Sequence, residues 1–194
     1  METMNSVINK LNQHGSPTLI NRTNVGTAGS GVRASEYGNA YQHTTILSIN
    51  KAAALTLADN AALADGHLIY TFPTGALIVN NAHMALTITN AEHAANATGE
   101  LGLGTTVGSG AVAVLSGTAG FENILTGLAS YTMGTVGTST DISNSTSGIG
   151  GLLVPAANAH TVYVNLASTW ANTAGAALDA DISGFVILNW TFLV

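Results

Sequence analysis

This sequence has no cysteine and few charged side chains. The absence of cysteine among its 194 residues excludes disulfide frameworks, cysteine-ligated metal sites and thiol nucleophiles. Charged residues make up 7% of the chain, whereas soluble domains average about 25%. The polar surface is therefore expected to consist mainly of amide and hydroxyl groups. Neighbouring molecules can cover such a surface without removing charges from water, which costs several kcal/mol per ion.

Basic residues are absent from the last 143 positions, which hold eight acids. Nucleic acids and anionic lipid surfaces are bound mainly through Lys and Arg, so neither is an expected partner. All four basic residues lie within the first 51 positions, where only Glu2 and Glu36 oppose them. We treat these four as candidate partner-binding residues for an acidic protein surface: Lys10, Arg22, Arg33 and Lys51.

Long hydrophobic runs are also missing. The longest covers residues 182–194 and is interrupted by two hydroxyl residues, a glycine and an asparagine. A membrane-spanning helix needs about 20 apolar residues, so we expect a core strand here and no membrane partner. Trp190 is expected to be buried in that strand, because aromatic side chains contribute much of the buried area of a core.

Short apolar or alternating runs separated by Gly, Asn and Asp begin at His43, a pattern typical of many short strands. Nine strands are predicted: His43–Asn50, Ala53–Ala58, His67–Phe72, Ala76–Asn80, Met84–Thr89, Ala111–Leu115, Leu152–Val154, Thr161–Leu166 and Phe185–Leu193.

Turn residues punctuate these strands. Asp65-Gly66 is typical of a tight hairpin turn, and residues 72–75 have Pro at the second and Gly at the fourth position of a turn. Asp179 and Asp181 are interpreted as turn-forming residues before the last strand, since two carboxylates are too few for calcium.

Two further features complete the predicted organisation. Residues 1–42 are rich in Asn, Ser, Thr and Gly and show no sustained apolar period, which indicates an N-terminal arm before a body at residues 43–194. Phe121, Ile124, Leu125 and Leu128 have helical spacing and predict one short crossover helix, although the intervening glycine weakens it by about 1 kcal/mol.

This pattern predicts an all-β fold: an antiparallel two-sheet sandwich of the jelly-roll kind, with an extended N-terminal arm and a short crossover helix. A solenoid is the main rival. Its sequence signature is a fixed repeat, and the best internal match, between residues 75–83 and 151–160, is one weak pair.

No catalytic constellation is visible. Neither lysine follows the glycine pattern of a phosphate-binding loop, the six histidines lack HxH and HExxH spacing, and no GxSxG elbow occurs. Each histidine is interpreted as a strand-end residue with an ordinary hydrogen bond. We therefore expect no enzyme activity, cofactor or metal site.

Four segments carry a family resemblance: DGHLIYTFPTGALIV at 65–79, ELGLGT at 100–105, FENILTG at 121–127 and GFVILNWTFL at 184–193. With them, residues 43–194 resemble virion structural proteins of tailed bacteriophages, in particular the capsid decoration or cement proteins of marine and cyanobacterial podovirus-like phages. The resemblance implies a jelly-roll body on the capsid exterior, often trimeric, that joins neighbouring major capsid subunits.

The expected function is therefore that of a decoration protein stabilising a DNA-filled head, with the major capsid protein and further copies of itself as partners. Three alternatives stay open, one of them an enzyme such as a depolymerase, in which substitution of carboxylates would abolish turnover. A tail or head-fibre component would form a longer, fibre-like assembly. A host-surface glycan-binding module would bind sugar at an exposed Trp170, although aromatic residues are only 6% of the chain.

Overall fold

The computed structural model describes residues 18–19, 25–57, 62–90, 97–133, 139–145, 151–157, 159–168 and 178–193. These residues form twelve strands and no helix. The strands are β1 (Thr18–Leu19), β2 (Thr27–Ala28), β3 (Val32–Gly38), β4 (Gln42–Leu57), β5 (Ala64–Thr71), β6 (Leu77–Asn90), β7 (Ala97–Gly104), β8 (Leu125–Met133), β9 (Ser139–Ser145), β10 (Leu152–Val154), β11 (Thr161–Ser168) and β12 (Leu178–Phe192).

The strands make two antiparallel sheets that face each other as a sandwich. The large sheet has the order β1-β3-β4-β12-β6-β10, with β9 also paired to β6, and the small sheet has the order β2-β5-β11-β7-β8. Most consecutive strands from β4 onward alternate between the two sheets. The predicted all-β, two-sheet antiparallel class is thereby confirmed, and the described strands do not form a solenoid.

The core lies between the sheets, where alternate side chains of each strand point inward. In the centre of the large sheet, Val186 of β12 is paired with Leu47 of β4 on one side and Met84 of β6 on the other. All three are fully buried. Burial of each such side chain stabilises the folded state by about 2 kcal/mol relative to exposure. The three longest strands therefore contribute much of the stability of the fold. Trp190 is buried in β12, as predicted.

A second, smaller apolar cluster lies on the other side of the small sheet. Leu115 and Phe121, from the segment between β7 and β8, pack there with Ala64 and Ala167. Residues 105–124 thus cover part of the outer face of the small sheet. No described segment covers the outer face of the large sheet in the same way, and its central apolar side chains are exposed.

Most strand predictions are confirmed, several as parts of longer strands. β4 and β6 each merge two predicted strands, and Leu152–Val154 is found with the predicted bounds. The chain bends at Thr74-Gly75, as expected for the turn between β5 and β6.

Three local predictions are wrong. Ala111–Leu115 is not a strand, Asp65-Gly66 lies inside β5 instead of turning, and Asp179 and Asp181 lie inside β12. For the two turn predictions, local residue preference is overridden by cross-strand pairing, which depends on residues far away in the sequence. Residues 111–115 instead belong to the loop that packs on the small sheet through Leu115.

The predicted crossover helix is also wrong. Residues 121–124 form bends, and β8 begins at Leu125, which is buried and pairs with Leu103 of β7. The apparent helical spacing combines Phe121, which packs outside the small sheet, with Ile124 and Leu125, which pack inside it. Pairing with β7 therefore decides the conformation.

The extended N-terminal arm is not confirmed. Within the predicted segment 1–42, β3 pairs with β4 and β2 pairs with β5, so residues 25–42 belong to the sandwich. Residues 1–17 and 20–24 lie outside the described residues.

Candidate interaction surface

The outer face of the large sheet is formed by side chains of β3, β4, β12, β6 and β9 that point away from the core. Strand register arranges them in rows across the sheet. One row contains, in order, Arg33, Ser48, Phe185, Ala85 and Ser143, with Phe185 on the central strand. The next row contains Ser35, Ile46, Ile187, His83 and Ser145.

Exposed apolar side chains occupy the middle of this outer face. Phe185 is 41% exposed and Ile46 is 37% exposed, and Ile187 lies between Ile46 and His83 in the second row. The His83 ring lies against Phe185, with ring centroids 5.9 Å apart. Large exposed apolar side chains grouped on one face mark interaction surfaces more often than single scattered ones do.

Charges lie at the sides of the outer face and not at its centre. Arg33 is exposed on β3, two strands to one side of β12. Asp141 is exposed on β9, two strands to the other side, and accepts a 2.6 Å hydrogen bond from the Thr87 hydroxyl. Asp181, half-buried on β12, lies two rows beyond Phe185. Asp179, also half-buried on β12, lies one row beyond Asp181. The remaining described side chains of this face are Ser, Thr, Asn, Gln, Ala, His, Tyr, Ile and Phe.

A shallow depression of about 630 Å³ adjoins Phe185 on this sheet. Its lining includes Arg33, Ser48 and Gly184. Gly184 has φ of +129°, and the register between β12 and β4 shifts just before it. Such a bulge bends a strand locally. The bend leaves the depression in the outer face beside Phe185.

At the far end, the outer face continues into a groove of about 310 Å³ with mainly amide side chains. Thr44 donates to Asn189 (2.7 Å), Asn189 donates to Asn81 (2.6 Å), and Asn80 donates to Thr191 (2.9 Å). These cross-strand hydrogen bonds hold the amides in fixed orientations. No charged side chain is among the residues that line the groove, apart from the titratable His43.

Beneath the groove lies a buried polar cluster that joins the two sheets. His43 stacks on Trp190 with ring centroids 3.9 Å apart, and its Nδ1 lies 3.9 Å from a carboxylate oxygen of Glu36. Glu36 accepts hydrogen bonds from the Tyr70 hydroxyl, on the small sheet, and from the Gly26 amide. The cluster is a structural tie between strands that are distant in sequence.

The Tyr70 hydroxyl has an unusual environment. Its side chain is fully buried, and this burial raises the pKa of Tyr70 well above its ordinary value of 10.0. The hydrogen bond to Glu36 and the negative charge of that carboxylate raise the pKa further. Tyr70 therefore remains a neutral donor to Glu36 throughout the physiological range.

The four sequence-predicted partner-binding residues have different outcomes. Arg33 lies on the outer face of the large sheet and is exposed. Lys51 lies in β4, but its side chain is outside what the structure describes, as are Lys10, Arg22 and Trp170. The structure does not bring the four together among the described residues, and partner binding by them stays a prediction.

Histidine environments were foreseen only in part. His67 and His160 make ordinary hydrogen bonds to the carbonyl oxygens of Ser30 and Gly75. His43, in contrast, is buried with neither ring nitrogen hydrogen-bonded to a described residue. The sequence signal for it was weak, because Glu36 and His43 come together only through the pairing of β3 with β4.

Two further findings concern metal ions and membranes and apply to the described residues. These residues contain no group of three or more His, Asp or Glu side chains that could hold a metal ion. They also contain no helix long and apolar enough to cross a membrane.

Comparisons with known proteins give a distant structural likeness only. No protein-family model and no curated protein matches the sequence. Three similar solved structures are those of infectious bursal disease virus Gt strain (10% identity), of its Gx strain (11%) and of the VP2 subviral particle of that virus (11%). Each match covers 90% of this chain and 38% of the other, with a TM-score of 0.31. The chain thus spans well under half of these neighbours' length, and a TM-score this low does not establish a common fold.

Proposed function

We propose that this chain is a capsid decoration protein: a non-enzymatic virion component that binds the outside of a tailed-phage head and joins neighbouring major capsid subunits. The observation that carries the proposal is the outer face of the large sheet. It is wide, almost free of charge at its centre and exposes Phe185 and Ile46. A protein with so few charges and such a face is suited to being covered by neighbours.

The strand order supports this proposal. The orders β4-β12-β6-β9 and β5-β11-β7-β8 are those of the two four-stranded sheets of a jelly roll. Jelly rolls are frequent in viral capsid proteins and also in lectins. Because a fold hosts many functions, this order supports the proposal without deciding between shell building and sugar binding.

The energetics of covering the outer face favour assembly. Ser, Thr and Asn side chains can exchange water for hydrogen bonds with a neighbour at little net cost. Burying a charge without a partner costs far more. Since Arg33 and Asp141 lie at the sides of the face, a neighbour can cover its centre without desolvating either charge.

Stabilisation of the head would follow from mass action. A protein that binds only the assembled shell stabilises it by RT ln(1 + [L]/Kd) for each occupied site. The basic residues near the N-terminus would guide the chain to an acidic capsid surface, which raises the association rate more than the affinity.

A second candidate function, binding of a neutral sugar, is favoured by the amide-lined groove. Asn80, Asn81 and Gln42 line it together with Tyr37, and amides and an aromatic ring suit hydroxyl groups and an apolar sugar face. This reading predicts saturable sugar binding that Asn81→Ala weakens.

Co-sedimentation with phage heads tests the decoration proposal. Purified protein is titrated onto DNA-filled heads stripped of loosely bound proteins, and bound protein is measured in the pellet. We expect saturation at a fixed number of copies per capsomer. Failure to bind heads, combined with saturable sugar binding, would reject decoration in favour of the glycan-binding alternative.

The same assay on a truncated protein tests whether the N-terminal basic residues guide binding to heads. Removing residues 1–24 deletes Lys10, Arg22 and the two-residue β1 but keeps β2 and β3. If these bases guide the chain to the capsid, the truncated protein should bind heads more slowly, most clearly at low salt. Unchanged binding kinetics would remove these two residues from the interface.

A further inference from the structure

We propose that the outer face of the large sheet pairs with the same face of a second copy, about a two-fold axis parallel to β12. In this arrangement Arg33 of each chain lies close to Asp141 of the other. The pairing deepens the proposed function, since it rests on this face being an assembly surface. It names a second copy of this chain as the neighbour that covers the face, and the rest of the pair's surface then contacts the head.

The order of the strands makes the face suitable for such a pairing. β12 is central, with β4 and β3 on one side and β6 and β9 on the other. A two-fold axis along β12 places β3 of one copy over β9 of the other, and Phe185 and Ile187 over their own counterparts. Apolar residues therefore meet in the centre, as an isologous interface requires self-complementary surfaces.

Charge selects the direction of the axis. Arg33 is in the same row as Ser143, and Asp141 is the next residue on β9 that points to the same face. An axis along β12 brings Arg33 near Asp141 of the other copy, twice in each pair. An axis within the interface but perpendicular to the strands would place β3 over β3 of the other copy, so that Arg33 could not reach Asp141. The axis along β12 also places Asp181 over its own counterpart, and like charges in apposition are unfavourable. The interface is therefore centred on Phe185 and Ile187 and ends before Asp181.

Arg33 and Asp141 are available for this contact. Both side chains are exposed, and Arg33 makes no ion pair with any described residue. Asp141 is held by Thr87 through one of its carboxylate oxygens. Its other oxygen therefore remains free to accept a hydrogen bond from a guanidinium.

The size of the outer face is sufficient. Five strands spaced about 4.8 Å apart, and the length of β12 from Ser183 to Thr191, give a face of about 24 by 27 Å. Two such faces bury about 1,300 Å² together, within the range of about 1,200–2,000 Å² for specific interfaces. The depression beside Phe185 leaves room for a second aromatic ring that is displaced from exact overlap.

A charge swap tests the pairing on the full chain. Sedimentation equilibrium at low salt should show reversible association of the wild type. Arg33→Glu and Asp141→Arg should each raise the dissociation constant about tenfold, because two attractive contacts become repulsive in each pair. The double variant R33E/D141R should return to within about threefold of the wild type. Val114→Glu, in the loop over the small sheet, is the control and should not change association.

Cross-linking tests the direction of the axis. The chain has no cysteine, so Ser35→Cys and Ser145→Cys each introduce a single thiol at one end of the second row. Facing sheets lie about 10 Å apart, too far for a disulfide, so a short bismaleimide is used. A mixture of the two variants should cross-link, and S35C alone should not.

The outcomes separate this inference from the proposed function. A wild type that does not associate, charge variants that do not rescue each other, or S35C that cross-links to itself would each overturn the pairing. Binding to heads by such a protein would leave decoration intact. Specific pairing without binding to heads would reject decoration and keep the pairing.

Discussion

At the residue scale, a few buried polar side chains connect the two sheets. Tyr70 reaches from β5 to Glu36 on β3, and the Gly26 amide donates to both side chains at 3.0 Å. Buried polar groups are expensive unless they are hydrogen-bonded. This cluster therefore stabilises one relative position of the sheets and the segment that leads into β2.

Replacement of Tyr70 should change the alkaline stability. Because the pKa of Tyr70 is raised in the folded protein, ionisation above pH about 10 favours the unfolded state. The stability that Tyr70 contributes is fully present below about pH 10 and is lost as the pH rises further. Tyr70→Phe should lower stability by about 1–2 kcal/mol at pH 7 but flatten its decline between pH 9 and 11.

Thermal melts across this pH range measure the effect. Tyr163→Phe, on the neighbouring β11, is the matched control and should keep the wild-type pH profile. A profile for Tyr70→Phe as steep as that of the wild type would contradict the assigned role.

Asn165 is a second buried connection, on the small sheet. Its amide accepts from Gly108 N (2.7 Å) and donates to the carbonyl oxygens of Thr106 (2.9 Å) and Phe121 (2.7 Å). It thereby fastens both ends of the loop that covers this sheet.

Asn165→Ala should therefore be strongly destabilising. It leaves three backbone groups without a partner, and we expect a loss of about 3 kcal/mol in the free energy of unfolding. Urea denaturation measures it. Asn123→Ala, an exposed residue that bonds only to Thr105 at the surface, should cost less than about 1 kcal/mol. Equal losses for both variants would contradict the anchoring role.

At the element scale, the three long strands of the large sheet were the most predictable part of the fold. Segments such as Met84–Thr89 alternate between apolar and polar residues. This alternation can be read from the local sequence without knowledge of the strands that pair with it. Pairing was not predictable. β12 joins β4, more than 120 positions earlier in the chain, and nothing in either segment specifies that register.

The same limit explains what was missed at the candidate surface. The sequence predicted that Ile46 and Phe185 lie in strands, and it selected Arg33 as a partner-binding candidate. Their common face became visible only from the rows that cross five strands. β3 and β9 were missed because Ser, Arg, Glu and Asn give them little apolar period, and the helix at residues 121–128 was a chance spacing.

Gly184, beside the register shift between β12 and β4, is an element-scale feature with a testable consequence. Gly184 has φ of +129°, and a Cβ there would lie 2.3 Å from the Ala85 carbonyl oxygen. Gly184→Ala should cost at least about 2 kcal/mol, since both the backbone conformation and the close approach disfavour a side chain.

Chemical denaturation of the Gly184→Ala variant, compared with that of the Ser183→Ala variant, tests this. The control changes the adjacent residue, which has no such restriction, and should lie within about 1 kcal/mol of the wild type. If the Gly184→Ala variant were as stable as the control, neither the positive φ nor the close approach to Ala85 would disfavour a side chain at this position.

At the scale of the whole molecule, the two outer faces differ. Residues 105–124 cover part of the small sheet, whereas the large sheet presents Phe185 and Ile46 to solvent. A central aromatic residue is a typical energetic focus of an interface. This difference between the faces is the reason that we propose assembly through the large sheet.

Phe185→Ser should therefore weaken self-association. Two phenylalanine rings are removed from the centre of each pair, and we expect the dissociation constant to rise at least about tenfold. Val114→Ser, which removes an exposed apolar side chain from the small-sheet side, is the control. Light scattering over a concentration series measures the mass, and identical curves for the two variants would contradict the assignment of the face.

The most direct test of the central claim, that this chain stabilises an assembled shell, is the temperature at which DNA-filled heads release their DNA. Heads stripped of loosely bound proteins are heated with a DNA-binding dye at increasing concentrations of the protein. The account predicts a release temperature that rises with concentration and levels off as sites on the head saturate. An unchanged release temperature at full occupancy, or no occupancy at all, would contradict it.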